Sequence, residues 1–324
     1  MKFEKPPLSV KQQVDLLMER GMTGDRALMI ERLLVVGYYR LSGYWYPFRK
    51  AVAQPVELPE GAEPDETFLP GTSFETVWRR YAFDRRLRLL IIDAIERFEV
   101  TLRTQIASHH CQQHGPFGYA LERASRPKLK RADFAEFYAG VLEELGRSKE
   151  TFIKHFYTKY GDEHDVPPMW ETAEVLTFGS LVTFYKSTTH NVKQSVASVF
   201  GVPDTVMESW LLALNTVRNI CAHHSRLWNR ELGVKPMIPL LRDYPDWHVP
   251  VKVGNERIFG VLTICKYCLS RIAPQSGWSD RLVELLDAYP DVPVASMGFP
   301  ANWPDCPIWK PPSKENLRGQ GYGS

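Results

Sequence analysis

Apolar residues along this chain fall mainly at helical spacing, and few segments alternate as strands do. Ser9-Val10-Lys11-Gln12 has the form of a capping box, and the helix it opens stops at Gly21. A second helix from about Asp25 ends by Gly37, so short links make a helical hairpin. A longer pattern opens near Thr72 and continues to about His110. Further helices are expected at about 169–187, 192–200, 204–229, 255–273 and 278–289, before a tail rich in Pro and Trp. Residues 51–71 differ in character: Glu57, Glu60, Glu63, Asp65 and Glu66 share the stretch with Pro55, Pro59, Pro64 and Pro70, which describes an acidic loop. The expected fold class is all-α. A helical element and the acidic loop fill 1–71, a helical core 72–235, and a helical extension with a tail 236–324.

Composition narrows the class without naming a task. The 44% hydrophobic and 24% charged content belongs to a folded globular chain, and 324 residues suffice to bury a sizeable core. A net charge of +2 gives no general attraction for nucleic acid, so any RNA surface must come from local asymmetry. MKFEKPPL has no apolar core for a signal peptide, and no run is long enough for a bilayer, so no membrane association is expected. Five Cys without a secretory signal fit reduced thiols in a cytoplasm.

One segment departs from ordinary helix chemistry. From Ser209 to Arg230 there is no Asp, Glu or Lys, yet the run holds three Arg, three Asn and two His. A solvated helix face normally carries Lys and Glu, which are good helix formers. Thr205-Val206-Met207-Glu208 has the form of a capping box, and an apolar stripe follows through Trp210, Leu214, Val217, Cys221 and Trp228. Off that stripe lie Asn215, Arg218, Asn219, His223 and Arg226, with Asn219 and His223 four apart on one face. His224 turns back toward the stripe and reads as a hydrogen-bonded structural histidine. An Arg fork suits phosphate oxygens, an imidazole moves protons near neutrality, and Asn orients or donates without adding charge. RNA carries its own nucleophile in the 2′-hydroxyl, so such a set requires no metal and no cofactor. A single His per site makes a symmetric dimer attractive. By spacing alone, the same residues also fit plain surface decoration.

Other groups compete for attention. Cys265-Lys266-Tyr267-Cys268 has redox or zinc spacing but sits in an apolar helical run without a second Cys pair, which favours a structural role. His109-His110-Cys111 with His114 imitates a metal site, yet neighbouring helical positions diverge and no carboxylate completes the set. Arg123, Arg126, Lys128, Lys130 and Arg131 place five cations in nine residues, an RNA-binding candidate. Lys149, Lys154 and Lys159 then interleave with Phe152, Phe156, Tyr157 and Tyr160, which fits either base stacking or an amphipathic helix packing its aromatics inward.

Arg218-Asn219 followed by His223 resembles the R-x(4–6)-H motif of HEPN ribonucleases, and Val217 to Arg230 resembles the Abi-like family of the AbiD/AbiF type. Matching strings follow in order: Lys5-Pro6-Pro7-Leu8, Gly37 to Trp45, Tyr81 to Arg88, Ala94 to Arg103, and Met297-Gly298-Phe299-Pro300 before Asn302-Trp303. The resemblance implies a HEPN-type helical bundle and a metal-independent endoribonuclease of antiphage abortive infection. It also implies a homodimer and, for some members, control by a small noncoding RNA. Arg218, Asn219 and His223 are then the catalytic candidates, with Arg226 and the basic segment 123–131 for RNA and His224, Glu99 and Arg103 as support. A HEPN core predicts that the helices over 72–112 and 204–229 pack together. Asp93–Arg97 and Glu99–Arg103 have ion-pair spacing, and Arg103 with His109 repeats the motif spacing as a candidate second site. A catalytically silent RNA-binding scaffold is the alternative, and a metal-dependent nuclease would need clustered carboxylates that the 204–229 helix lacks.

Overall fold

Ser9 opens the first helix with a reciprocal cap: its hydroxyl accepts from the Gln12 N–H, and the Gln12 side chain accepts from the Ser9 N–H at 2.9 Å. The computed structural model describes residues 6–54, 65–121 and 130–310, and among these it holds fourteen α-helices and no strand. The expected all-α class is correct. The first helix, α1, spans Val10–Glu19. Asp25 caps α2, Arg26–Val36. Gly37, at a φ of 85° that a side chain would resist, ends α2 and leads straight into α3, Tyr38–Trp45. Then come α4 (Lys50–Ala53), the 41-residue α5 (Phe74–His114) and α6 (Gly118–Leu121).

The remaining helices are α7 (Arg131–Arg147), α8 (Thr151–Tyr160), α9 (Met169–Val175), α10 (Phe178–Ser187), α11 (His190–Val199), α12 (Asp204–Ala222), α13 (Ile258–Ile272) and α14 (Trp278–Ala288). No helix of the described residues is long and apolar enough to cross a membrane.

The chain divides into two compact units. The first comprises Met1–Arg88 with Val283–Pro293. Its core takes Val14 and Leu17 of α1, Met29 and Leu33 of α2, and Leu41, Tyr44 and Trp45 of α3. Tyr44 donates its hydroxyl proton to the fully buried Asp84, which also pairs with Arg88. Burial and the Asp84 charge push the Tyr44 hydroxyl far above its usual pKa. Two of the strings noted above, Gly37–Trp45 and Tyr81–Arg88, are thereby joined by one buried polar network. Pro55 to Pro64 of the acidic loop lie outside the described residues, as does Lys5; beyond them Glu66 pairs with Arg20 and Arg49.

The second unit comprises Leu89–Leu282 with Val294–Ser324. Its middle is α13, eleven of whose fifteen residues are buried, as expected of a helix that is largely apolar. Cys265 and Cys268 lie fully inside it, where burial pushes the Cys265 thiol up to about 12 and Cys268 well above its ordinary range. Trp210 of α12 meets Trp247 and Tyr267 at ring-centroid distances of 5.4 and 5.7 Å. Helix α12 packs most closely on α10 and α11, and then on α13. Helix α5 reaches this group through Phe98, whose ring lies 4.6 Å from Phe200 and 6.5 Å from Phe178. The expected direct packing of these two long helices is not seen among the described residues: α12 lies on α10, α11 and α13, and α5 touches the group through α10 and the end of α11.

Three other expectations change. The helix expected at 169–187 is two, because Leu176 and Thr177 are extended and Thr177 caps α10. Glu144 of α7 fixes that break, accepting from the Thr177 N–H at 2.9 Å and the Ser180 hydroxyl at 2.6 Å. The capping box at Thr205 does not form: the helix starts at Asp204 with Pro203 as N-cap and no side-chain cap, and Glu208 turns instead to Lys193. The Lys193 side chain is 2% exposed, and a buried ammonium is far more costly to leave unpaired than a helix N–H. The helix expected to reach 229 ends at Ala222.

Candidate functional site

The end of α12 decides where the candidate residues stand. His223 is its C-cap, with φ −84°, and His224 follows in the left-handed region at φ 56°. The His224 N–H donates to the Cys221 carbonyl at 3.0 Å and the Ser225 N–H to the Ile220 carbonyl at 2.9 Å. These two bonds make a Schellman ending with histidine where glycine is usual. His224 is exposed, so the expectation that it turns back toward the apolar stripe is corrected: the left-handed residue swings its side chain off the helix.

The chain then dives inward, burying Leu227 and Trp228. It turns again at Asn229, φ 51°, the second of two non-glycine residues at positive φ among the described residues. Arg257 holds that turn, donating from one nitrogen to Asn229 Oδ1 and to the Ser296 carbonyl, both at 3.0 Å. Arg226 donates to the Trp228 carbonyl at 3.3 Å, and Arg230 to the Arg226 carbonyl at 3.3 Å. A non-glycine residue at positive φ is strained by about 1–3 kcal/mol and persists only where its surroundings fix it. Here the fixing groups are the buried Leu227 and Trp228 and the Arg257 clamp.

Above this anchored loop, Asn219 and His223 are exposed and Arg218 is half-buried. The His223 N–H donates to the Asn219 carbonyl at 2.9 Å, so the two residues are one helical turn apart. Arg218 Nη1 reaches Asn219 Oδ1 at 3.4 Å, leaving the asparagine amide hydrogens for another acceptor. Position 223 lies about 140° round the helix from 218. No hydrogen bond joins Arg218 to His223 directly; Asn219 stands between them. Among the described residues no carboxylate lies within ion-pair distance of Arg218, His223, Arg226 or Arg230. The surface is therefore cationic without internal neutralisation and suits phosphate oxygens.

Glu99 and Arg103 lie on α5 in the second unit. Their side chains are about 15% exposed, and Arg103 Nη2 donates to Glu99 at 2.9 Å and to the Leu176 carbonyl at 3.2 Å. They tie α5 to the break before α10. Asn215 of α12 approaches the same turn: a side chain at Gly179 would meet its amide at 3.8 Å. The sequence placed Asn215 on the polar face, but nothing in it marked the turn as a meeting point. Of the basic segment, Arg123, Arg126 and Lys128 lie outside the described residues, Lys130 is exposed and Arg131 opens α7. Helix α8 is amphipathic, with Ile153 and Phe156 buried and Lys154, Tyr157, Lys159 and Tyr160 exposed. Among the described residues no group of three His, Cys, Asp or Glu is placed to hold a metal ion.

Residues 31–229 match the model of a family described as Abi-like protein. That is more than half of the chain, and the chain belongs to the Abi-like family. Membership ties it to abortive infection, a form of antiphage defence. The matched span runs from α2 through the anchored loop and ends at Asn229. No curated protein and no solved structure matched the chain.

Proposed function

We propose that this Abi-like protein is a HEPN-type endoribonuclease of the AbiD/AbiF kind, cutting RNA without metal at Arg218, Asn219 and His223. The observation that supports it best is the carboxylate-free cluster of an arginine, an asparagine and a histidine at the end of α12, where the helix runs into a strained, clamped loop. Strain held in place by surrounding structure collects at functional sites.

The chemistry is an internal transesterification. The 2′-oxygen of the ribose attacks the adjacent phosphorus, and its proton passes to a base. The bond from phosphorus to the 5′-oxygen breaks, and an acid supplies the proton that oxygen needs. The products are a 2′,3′-cyclic phosphate and a 5′-hydroxyl. Arg218 faces the charge that grows on the phosphoryl oxygens. His223 serves as one proton carrier, and His223 of the partner subunit as the other, the dimeric arrangement that the resemblance to HEPN ribonucleases implies. In this reading the protein works as a homodimer in the cytoplasm, and the resemblance adds a small noncoding RNA as a candidate regulator.

The test is cleavage of end-labelled RNA in EDTA by wild type, His223→Ala and Arg218→Ala. Loss of the His223 imidazole is expected to slow cleavage about 10²–10⁴-fold, and loss of Arg218 about 10²–10³-fold. Cyclic-phosphate ends must appear in wild type. Cutting that survives His223→Ala defeats the reading. Tight RNA binding with no cutting in either protein favours the silent scaffold.

A further inference from the structure

The second unit carries a cleft of about 420 Å³ far along the chain from the anchored loop, between α13, α14 and the short turns at Pro245–Trp247 and Pro307–Trp309. It lies wholly beyond Asn229, where the family match ends. Its volume is that of a pocket for a ligand of nucleotide size.

Its charged lining is one-sided: Lys266, Arg271 and Lys310 against Asp246 alone. Among the described residues none of the three cations has a carboxylate within ion-pair distance. Lys266 is the least expected of them. It projects from the most buried helix of the unit, is only partly exposed, and donates to the Ser279 hydroxyl at 3.1 Å. Burial lowers its ammonium pKa, and the nearby Asp280 opposes that fall. Arg271 is held in advance: its guanidinium lies 3.7 Å over the Tyr267 ring, and Nη1 donates to the Tyr267 carbonyl at 3.3 Å. Opposite them, Ser276 and Ser279 stand at the start of α14, whose N-terminus adds positive potential. Ser276 also accepts from Arg97 at 3.3 Å.

We infer that this cleft binds a phosphate monoester of nucleotide size, with Lys266 and Arg271 gripping the phosphate. Three cations face Asp246 in the lining and Asp280 behind Lys266, so the cleft stays net positive and suits a phosphate group. A terminal phosphate offers these donors three free oxygens where a diester offers two, so the match is to a terminal phosphate. Two sources share this chemistry: a free nucleoside monophosphate and the phosphorylated end of an RNA chain. The site is distinct from the anchored loop and stands whether or not Arg218 and His223 cleave RNA.

Calorimetric titration of the full chain with inorganic phosphate, AMP and adenosine tests it. AMP and phosphate are expected to bind and adenosine not. Lys266→Met and Arg271→Gln are each expected to weaken AMP binding at least about tenfold, whereas His223→Ala leaves it unchanged. Should either variant fail to melt cooperatively, the exposed Lys310→Ala takes its place, with a smaller loss expected. Short RNAs with a 5′-phosphate or a 5′-hydroxyl, added to His223→Ala protein, separate the sources. A preference for the phosphorylated RNA that exceeds the affinity for AMP assigns the cleft to an RNA end, and the reverse order assigns it to a free nucleotide. Binding of adenosine equal to that of AMP overturns the inference. So does undiminished AMP binding in a folded Lys266→Met, or no response to AMP at about 10 mM.

Discussion

Replacing His224 tests whether the end of α12 is as strained as its geometry says. Both His224→Gly and His224→Ala remove the imidazole and whatever it touches, so the comparison between them isolates the backbone. At φ 56° a residue with a Cβ is disfavoured by about 1–2 kcal/mol. Glycine loses about 0.4–1 kcal/mol of that advantage because its unfolded chain is freer. The net expectation is a glycine variant more stable than the alanine variant by about 0.5–1 kcal/mol, or a melting temperature higher by about 1–3 °C. Differential scanning calorimetry on the two proteins, side by side in one buffer, reads this directly. The Schellman hydrogen bonds from His224 and Ser225 are backbone bonds and persist in both. An alanine variant as stable as the glycine one, or more so, would refute the strain argument. Because His223 is the proposed proton carrier, both variants should still cleave RNA.

Other consequences are equally direct. Glu208→Ala leaves the Lys193 ammonium buried without its partner and should destabilise the protein by about 3–5 kcal/mol, measured by urea unfolding. Lys266→Met replaces a part-buried ammonium by an apolar group of similar length, so its melting temperature should rise even as phosphate binding falls. Asp291 gives a pH test: Arg79 holds its carboxyl below the ordinary carboxylate range. The stabilisation is whole above the unfolded carboxylate pKa and is lost as pH falls through the folded one, so Asp291→Asn should flatten the acid limb of stability against pH.

What could be read from the residues was whatever local physics decides. The Ser9–Gln12 cap and the Trp210–Leu214–Val217–Cys221 stripe were legible because both need only near neighbours in sequence. The cap at Thr205 misled because Lys193, twelve residues back, claims Glu208 once the fold buries it. The break at Leu176–Thr177 depends on Glu144, which only the fold delivers. The end of α12 was hidden for a different reason: a helix stop is usually signalled by glycine, and here histidine fills that position under strain. For the same reason the polar face was legible residue by residue, while the exposed placing of His224 was not. The cleft was missed because Lys266 reads as an interruption in an apolar run until α14 is laid across it.

The Arg257 clamp bears on how this chain can be shortened. Arg257 holds Asn229 from a helix boundary that lies after the family span, and it is braced from further on still. A side chain at Gly298, itself at φ 87°, would come within 3.0 Å of the Arg257 Cβ, so the Met297-Gly298-Phe299-Pro300 string can approach only with glycine there. A fragment cut at the end of the homologous region would keep every proposed reactive group and lose the buttress beneath them. Inheritance of the motif in a shorter relative would therefore require a substitute strut, and its absence would mark a descendant that has kept the letters of the site but not its posture.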